Sequence, residues 1–229
     1  MKIYGLQKMT LLDFPGHVAC TVFLGGCDYR CPFCHNYELA EGKAPVLMDD
    51  AELLSFLEKR VGLLDGVAFT GGEPLLHKDL TELLGKIKTL GFLTKVDTNG
   101  NHPALLREIL QHGLADYIAM DIKNSPAKYA LTCGVDRVNM DAILESIDIL
   151  KTSSVDYEFR TTVVDELHEE KDFIEIGKLV EGSKHFYLQS FTDRDQVPFG
   201  GLSTPSPEKM MKALEILTKY VPKSELRGV

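Results

Sequence analysis

Basic residues are scarce in this chain of 229 residues: 25 are lysine or arginine against 34 aspartate or glutamate, a net charge of −9. That balance argues against broad binding to a phosphate backbone, although one small basic pocket remains compatible with it. Long apolar runs are also missing. The best of them, residues 18–24, is too short to span a bilayer. The opening Met1-Lys2-Ile3-Tyr4-Gly5-Leu6-Gln7-Lys8 holds no apolar core of a secretory signal. Internal repeats, low-complexity tracts and long linkers are absent as well. Together these absences point to a cytoplasmic protein with neither nucleic acid nor membrane as partner. A composition of 44% hydrophobic and 26% charged residues is that of a globular chain.

Cysteine is sparse too, with five in the chain. In a cytoplasmic setting these read as metal-binding or catalytic more readily than as disulfides. Three stand in one loop, Cys27-Asp28-Tyr29-Arg30-Cys31-Pro32-Phe33-Cys34, followed at once by His35-Asn36. Three thiolates at this spacing can converge on one metal centre. On a four-iron cluster they would leave one iron not held by protein and open to a substrate. Thiolates suit Fe–S clusters, zinc and Cu(I). A structural Cys3His zinc site with His35 as fourth ligand is the competing reading. Structural zinc usually joins two separated ligand pairs, whereas these candidates lie within nine residues. Adjacent Cys34 and His35 are also awkward as joint tetrahedral ligands. Spacing therefore favours Fe–S and leaves zinc open. Cys20, inside an apolar strand pattern, and Cys133 read as structural thiols.

Short β-rich runs alternate with amphipathic helical patterns. Strands are expected at 18–24, 67–70, 93–97, 117–121, 157–163 and 185–191. Helices are expected near 50–60, 78–90, 104–111, 140–151, 171–180 and 207–220, the last opening on Ser206-Pro207. Six βα units without consecutive hairpins imply a parallel sheet with right-handed crossovers. Eight would close a full barrel. Six predict an α/β fold of one domain, a partial (β/α)6 TIM-like barrel with parallel strands. In that scheme 1–17 is an N-terminal extension, 18–191 holds the six units, and 192–229 is a C-terminal loop and helix.

The unusual residues gather just past the C-terminal ends of the strands, where parallel α/β sheets place their sites. Gly71-Gly72-Glu73-Pro74 follows the second strand and could be only a tight turn. Its glycines could equally let a ligand meet the backbone, with Glu73 offered to an ammonium. Asp97-Thr98-Asn99-Gly100 ends the third strand and Asp121-Ile122-Lys123 the fourth. Taken alone these are a turn and a rim ion pair. Taken together, two acids and a lysine on neighbouring strand ends can divide a zwitterionic ligand between them. Arg160, a charge inside an apolar strand, needs a partner.

The cysteine loop after the first of six units resembles that of the radical S-adenosylmethionine (SAM) superfamily, and the later motifs agree in order and position. The resemblance implies a [4Fe-4S] cluster on Cys27, Cys31 and Cys34, with SAM chelating the fourth iron. It implies Phe33 near the adenine and Gly71, Gly72 and Glu73 at the methionyl amino group. Cys-His-Asn, with Asn36 at its end, and the Asp97 and Lys123 motifs are similar to those of glycyl-radical-enzyme activases. There Asp97, Thr98 and Asp121 would border a monovalent cation, and Lys123 and Arg160 would reach SAM. Asp13-Phe14-Pro15-Gly16 resembles their Asp-Gly-Pro-Gly segment, with Phe14 replacing a glycine. Gln189 stands where the formate-lyase activase has a SAM-contacting histidine. The fifth strand lacks the literal adenine motif, and no second cysteine group lies between Asn36 and Leu47.

The nearest pattern is the second family of anaerobic ribonucleotide reductase activating proteins. The implied activity is reductive cleavage of SAM to a 5′-deoxyadenosyl radical, fed by reduced flavodoxin or ferredoxin, to install a glycyl radical on that reductase. Activation of another glycyl-radical enzyme such as pyruvate formate-lyase is an alternative. So is radical SAM chemistry on a small molecule or peptide. A zinc-stabilised binding module without catalysis is the reading from a different class.

Overall fold

The computed structural model of the protein describes residues 1–193 and 197–228. Its strands are β1 (Lys2–Thr10), β2 (Ala19–Leu24), β3 (Met48–Asp49), β4 (Gly66–Gly71), β5 (Leu93–Thr98), β6 (Tyr117–Asp121), β7 (Asp156–Val163), β8 (Phe186–Ser190) and β9 (Ser224–Arg227). The helices are α1 (Tyr37–Ala40), α2 (Asp50–Glu58), α3 (Leu80–Thr89), α4 (Pro103–Gln111), α5 (Tyr129–Cys133), α6 (Met140–Thr152), α7 (Glu170–Val180) and α8 (Pro207–Thr218). One sheet takes all nine strands in the order β3-β1-β2-β4-β5-β6-β7-β8-β9. From β2 to β9 every neighbouring pair is parallel, while β1 runs antiparallel to β2 and β3. The sheet is open between β3 and β9, so the expected partial barrel is what forms. No helix among the described residues is long and apolar enough to cross a membrane.

Residue patterning explains the layers. Val67, Phe69, Val96, Ile118, Met120 and Phe159 are fully buried on the outer face of the sheet. Helices cover them with apolar stripes such as Leu80, Leu83, Leu84 and Ile87 of α3, spaced as one helix face. Each such side chain contributes about 1.5–3 kcal/mol when buried. Helix starts follow local chemistry. Asp49 and Glu52 form a reciprocal capping box at α2. The Ser206 hydroxyl accepts from the Lys209 N–H above Pro207, as its position predicts.

Three strands have no counterpart in the sequence reading. β1 lies in the segment read as an extension; its irregular register against β2 and its exposed Gln7, Lys8 and Met9 hide the alternation a strand shows. β3 is two residues long and β9 four, too short to show a period. β9 adds a seventh parallel strand beyond the six units, beside β8.

Candidate active site

Strand alternation sends Lys95 and Asp97 of β5, and Glu158, Arg160 and Thr162 of β7, to the face opposite Val96 and Phe159. Parallel register sets Asp121 beside Arg160. At the C-terminal rim one cavity of about 220 Å3 gathers Cys27, Cys31, Phe33, Cys34, Asn36, Gly71, Gly72, Glu73, Asp97, Thr98, Asp121, Lys123 and Arg160. Of the residues proposed from sequence, Gln189 alone is outside that lining. It lies beyond Thr162, in register with Arg227, where the barrel opens.

The cysteine loop is held by backbone. The Gly72 N–H donates to the Leu24 carbonyl and the Glu73 N–H to that of Gly26, both at 2.8 Å. A Cβ on Gly72 would lie 1.9 Å from the Gly26 oxygen, and one on Gly71, at φ +114°, 2.4 Å from that of Leu24. Only glycine therefore lets the end of β4 lie against this loop. Both glycines line the cavity, and the room left by their missing side chains is taken by the backbone of the cysteine loop and β2. Asn36 Nδ2 donates to the Gly71 carbonyl at 3.2 Å, closing the same corner.

Three sulfurs thus share one cavity wall. Burial pushes the Cys27 thiol up to about 12 and raises Cys34, so a bound cation is needed to hold them as thiolates. Cys31 is lowered to about 7, chiefly by a hydrogen bond from Cys133, which is itself buried. Cys133, read as structural, is therefore in contact with the loop. His35 is turned away: its Nε2 lies 2.9 Å from the Thr192 carbonyl and its ring stacks on Phe191. Among the described residues no three His, Cys, Asp or Glu side chains already converge as a metal site. The donor chemistry nonetheless fits an Fe–S cluster, being three thiols with no imidazole among them.

Across the cavity the chain spends its charge. Glu73 is buried; Oε1 accepts from the Leu75 N–H at 3.0 Å and the Thr98 hydroxyl at 2.8 Å, and Oε2 from the Asn99 N–H at 2.7 Å. Burial raises its carboxyl to about 7. Asp121 accepts from Arg160 Nε on Oδ1 and from Lys123 Nζ on Oδ2, both at 2.9 Å. Asp97 is paired with Lys95, and its Oδ2 lies 3.6 Å from the Arg160 guanidinium. Burial would raise both aspartates, but Arg160, with Lys123 or Lys95, holds them below the ordinary carboxylate range. Burial likewise disfavours charge on Lys123, yet Asp121 keeps its ammonium well above the usual value. Lys95 and Arg160 thus pair with the two aspartates that the sequence reading gave to a monovalent cation. The Thr98 hydroxyl is also engaged, accepting from the Gly100 N–H while donating to Glu73.

Sequence reasoning missed Lys95, Glu158, Tyr117 and Arg227. Glu158 carries no exposed surface; it accepts from Arg227 through both carboxylate oxygens and from the Tyr117 hydroxyl. A signal existed for two of them. Lys95 and Glu158 sit two residues before Asp97 and Arg160 in apolar strands, where any charge needs a partner.

A family model for the radical SAM superfamily matches residues 21–180. This chain is a member of the radical SAM superfamily. Membership implies a [4Fe-4S] cluster and SAM as cofactors. The radical SAM chain is 31% identical over 235 residues to a Methanocaldococcus jannaschii protein assigned as a glycyl-radical enzyme activating enzyme, covering 99% of this chain and 96% of that one. To the pyruvate formate-lyase-activating enzyme of Clostridium pasteurianum it is 33% identical over 156 residues, 64% of this chain and 63% of the relative. Solved structures of similar fold include a domain of a pyruvate-formate lyase-activating enzyme from Bacteroides vulgatus, with TM-score 0.58, 24% identity, and coverage of 71% of this chain and 99% of that domain. Streptococcus suis SuiB bound to SAM matches with TM-score 0.68 and 15% identity, over 91% of this chain and 52% of that one.

Proposed function

We propose that this radical SAM enzyme activates a glycyl-radical enzyme, and that its target is an anaerobic ribonucleoside-triphosphate reductase. The observation that carries the reading is the meeting, in one cavity, of the three-cysteine loop with the Asp97, Asp121, Lys123 and Arg160 set. Similarity to an assigned activating enzyme over nearly the whole of both chains supports the activase class.

In this proposal Cys27, Cys31 and Cys34 hold the cluster. Bound there, the cluster would supply the low-potential electron for reductive cleavage of SAM. The protein's part is binding, orientation and exclusion of water. Lys123 has two N–H donors left after Asp121 and suits the SAM carboxylate, beside Arg160. Phe33 packs edge-on against Phe191 at the wall assigned to the adenine. Glu73 braces the ends of β4 and β5 and keeps lone-pair capacity for an ammonium. A monovalent ion at Asp97, Thr98 and Asp121 would share those carboxylates with Lys95, Lys123 and Arg160, which already supply positive charge there. The open side of the sheet gives a partner's loop a way in. Reduced flavodoxin or ferredoxin is the proposed donor, since Fe–S centres reach the low potentials required.

The test is anaerobic EPR. Reduced protein, SAM and a panel containing the anaerobic ribonucleotide reductase and pyruvate formate-lyase are mixed singly. A glycyl doublet with the reductase is expected. A doublet with formate-lyase alone reassigns the target, and none with any glycyl-radical enzyme overturns the activase reading.

A further inference from the structure

Beneath the ligand-facing carboxylates lies a second layer of charge. Glu158 stands two residues before Arg160 on the same face of β7 and carries no exposed surface. Arg160 divides its guanidinium between the layers: Nε and Nη2 engage Asp121 Oδ1 at 2.9 Å, while Nη1 points down to Glu158 Oε1 at 4.0 Å. Glu158 does not draw Arg160 further because other donors hold it. Arg227 Nη1 donates to Oε1 at 2.6 Å and Nη2 to Oε2 at 2.9 Å, and the Tyr117 hydroxyl adds a bond to Oε2 at 2.7 Å. Arg227 is fixed in turn, its guanidinium 3.6 Å above the Tyr187 ring. It comes from β9, which joins the sheet through β8 alone.

We infer that Arg227 and Glu158 are positioning residues for Arg160, with β9 serving the site through them; this rests on the SAM-binding reading above. A buried carboxylate demands a partner. Bidentate pairing with Arg227 meets that demand, so Arg160 stays with Asp121 and Asp97, where a carboxylate-bearing ligand meets it. Without Arg227, Glu158 would take Arg160 as its counter-ion and pull it one layer down, away from the rim.

The experiment is anaerobic equilibrium dialysis of labelled SAM against cluster-loaded protein, with iron content and circular dichroism as controls. Arg227→Ala is expected to weaken SAM binding at least about tenfold, which is about 1.4 kcal/mol. Glu158→Gln combined with Arg227→Ala is expected to return affinity to within about threefold of wild type, because no buried charge then competes for Arg160. If Arg227→Ala does not fold, Arg227→Lys is the substitute, with a smaller loss and the same rescue by Glu158→Gln. A purely structural role predicts that affinity follows the fold, so that an Arg227 variant with wild-type iron content and circular dichroism binds SAM as the wild type does. Wild-type affinity in the single variant, or a well-folded double variant as weak as the single, overturns the inference. Wild-type protein that fails to bind SAM overturns the SAM reading itself.

Discussion

The cysteine loop and the strand ends of β5 to β9 face each other across one cavity, and different forces hold them in place. The loop is set by main-chain bonds and by two glycines that admit it against β4. The opposite wall is a side-chain network of Lys95, Asp97, Asp121, Lys123, Glu158, Arg160 and Arg227, each ion neutralised by a neighbour. A backbone-held wall keeps its shape when one side chain changes. A network of buried charges does not, because removing one member leaves another unpaired. The loop should therefore keep its shape when side chains other than its sulfurs, Phe33 and Asn36 change, Gly26 with its positive φ excepted, while the charged wall should respond to change at residues that touch no ligand.

The largest expected effect tests the first half of that contrast. Cys31→Ala should abolish the cluster while the fold persists, since no main-chain bond depends on the thiol. Iron and sulfide analysis should fall from about four of each per chain to near zero. One zinc and no iron in the wild type would replace the account with a structural metal site. Next comes Glu73, where the two walls join. Glu73→Gln puts an amide among three donors and should cost about 3 kcal/mol in urea unfolding. Its pH dependence has a defined sign. A carboxyl at about 7 in the folded chain, against 4.5 ordinarily, binds its proton more tightly when folded. Stability from it is thus present below 4.5 and is lost as pH rises towards 7, so wild type should decline relative to Glu73→Gln across that window. The smallest effects sharpen the charged wall. Replacing potassium with a bulky organic cation should change SAM affinity less than about threefold, because Lys95 and Arg160 supply the charge. Gln189→Ala should do as little, its side chain being outside the cavity lining; a loss beyond about tenfold in either case would restore the residue or the ion to the site.

Much of this was legible from sequence, and the reason is again the contrast between the walls. The six central strands repeat an apolar pattern that packing demands, and their observed ends fall within a residue or two of those read from it. The rim motifs were legible because packing alone does not call for cysteines, paired glycines and charges at strand ends. β1 and β9 were not, since β1 carries a mixed pattern and β9, at the edge of the sheet, is four residues long. Arg227 could not be placed without β9. Nor does spacing reveal that Glu73 is braced by Leu75, Thr98 and Asn99, or that His35 turns to Thr192: both depend on contacts across the fold.

If the two walls form one site, SAM bridges the cluster and the charges. EPR of the reduced cluster with and without SAM, in wild type and in Lys123→Ala, tests it most directly. SAM should shift the spectrum in the wild type and, at the same concentration, shift an intact cluster signal far less in the variant. An equal shift in both proteins would contradict it.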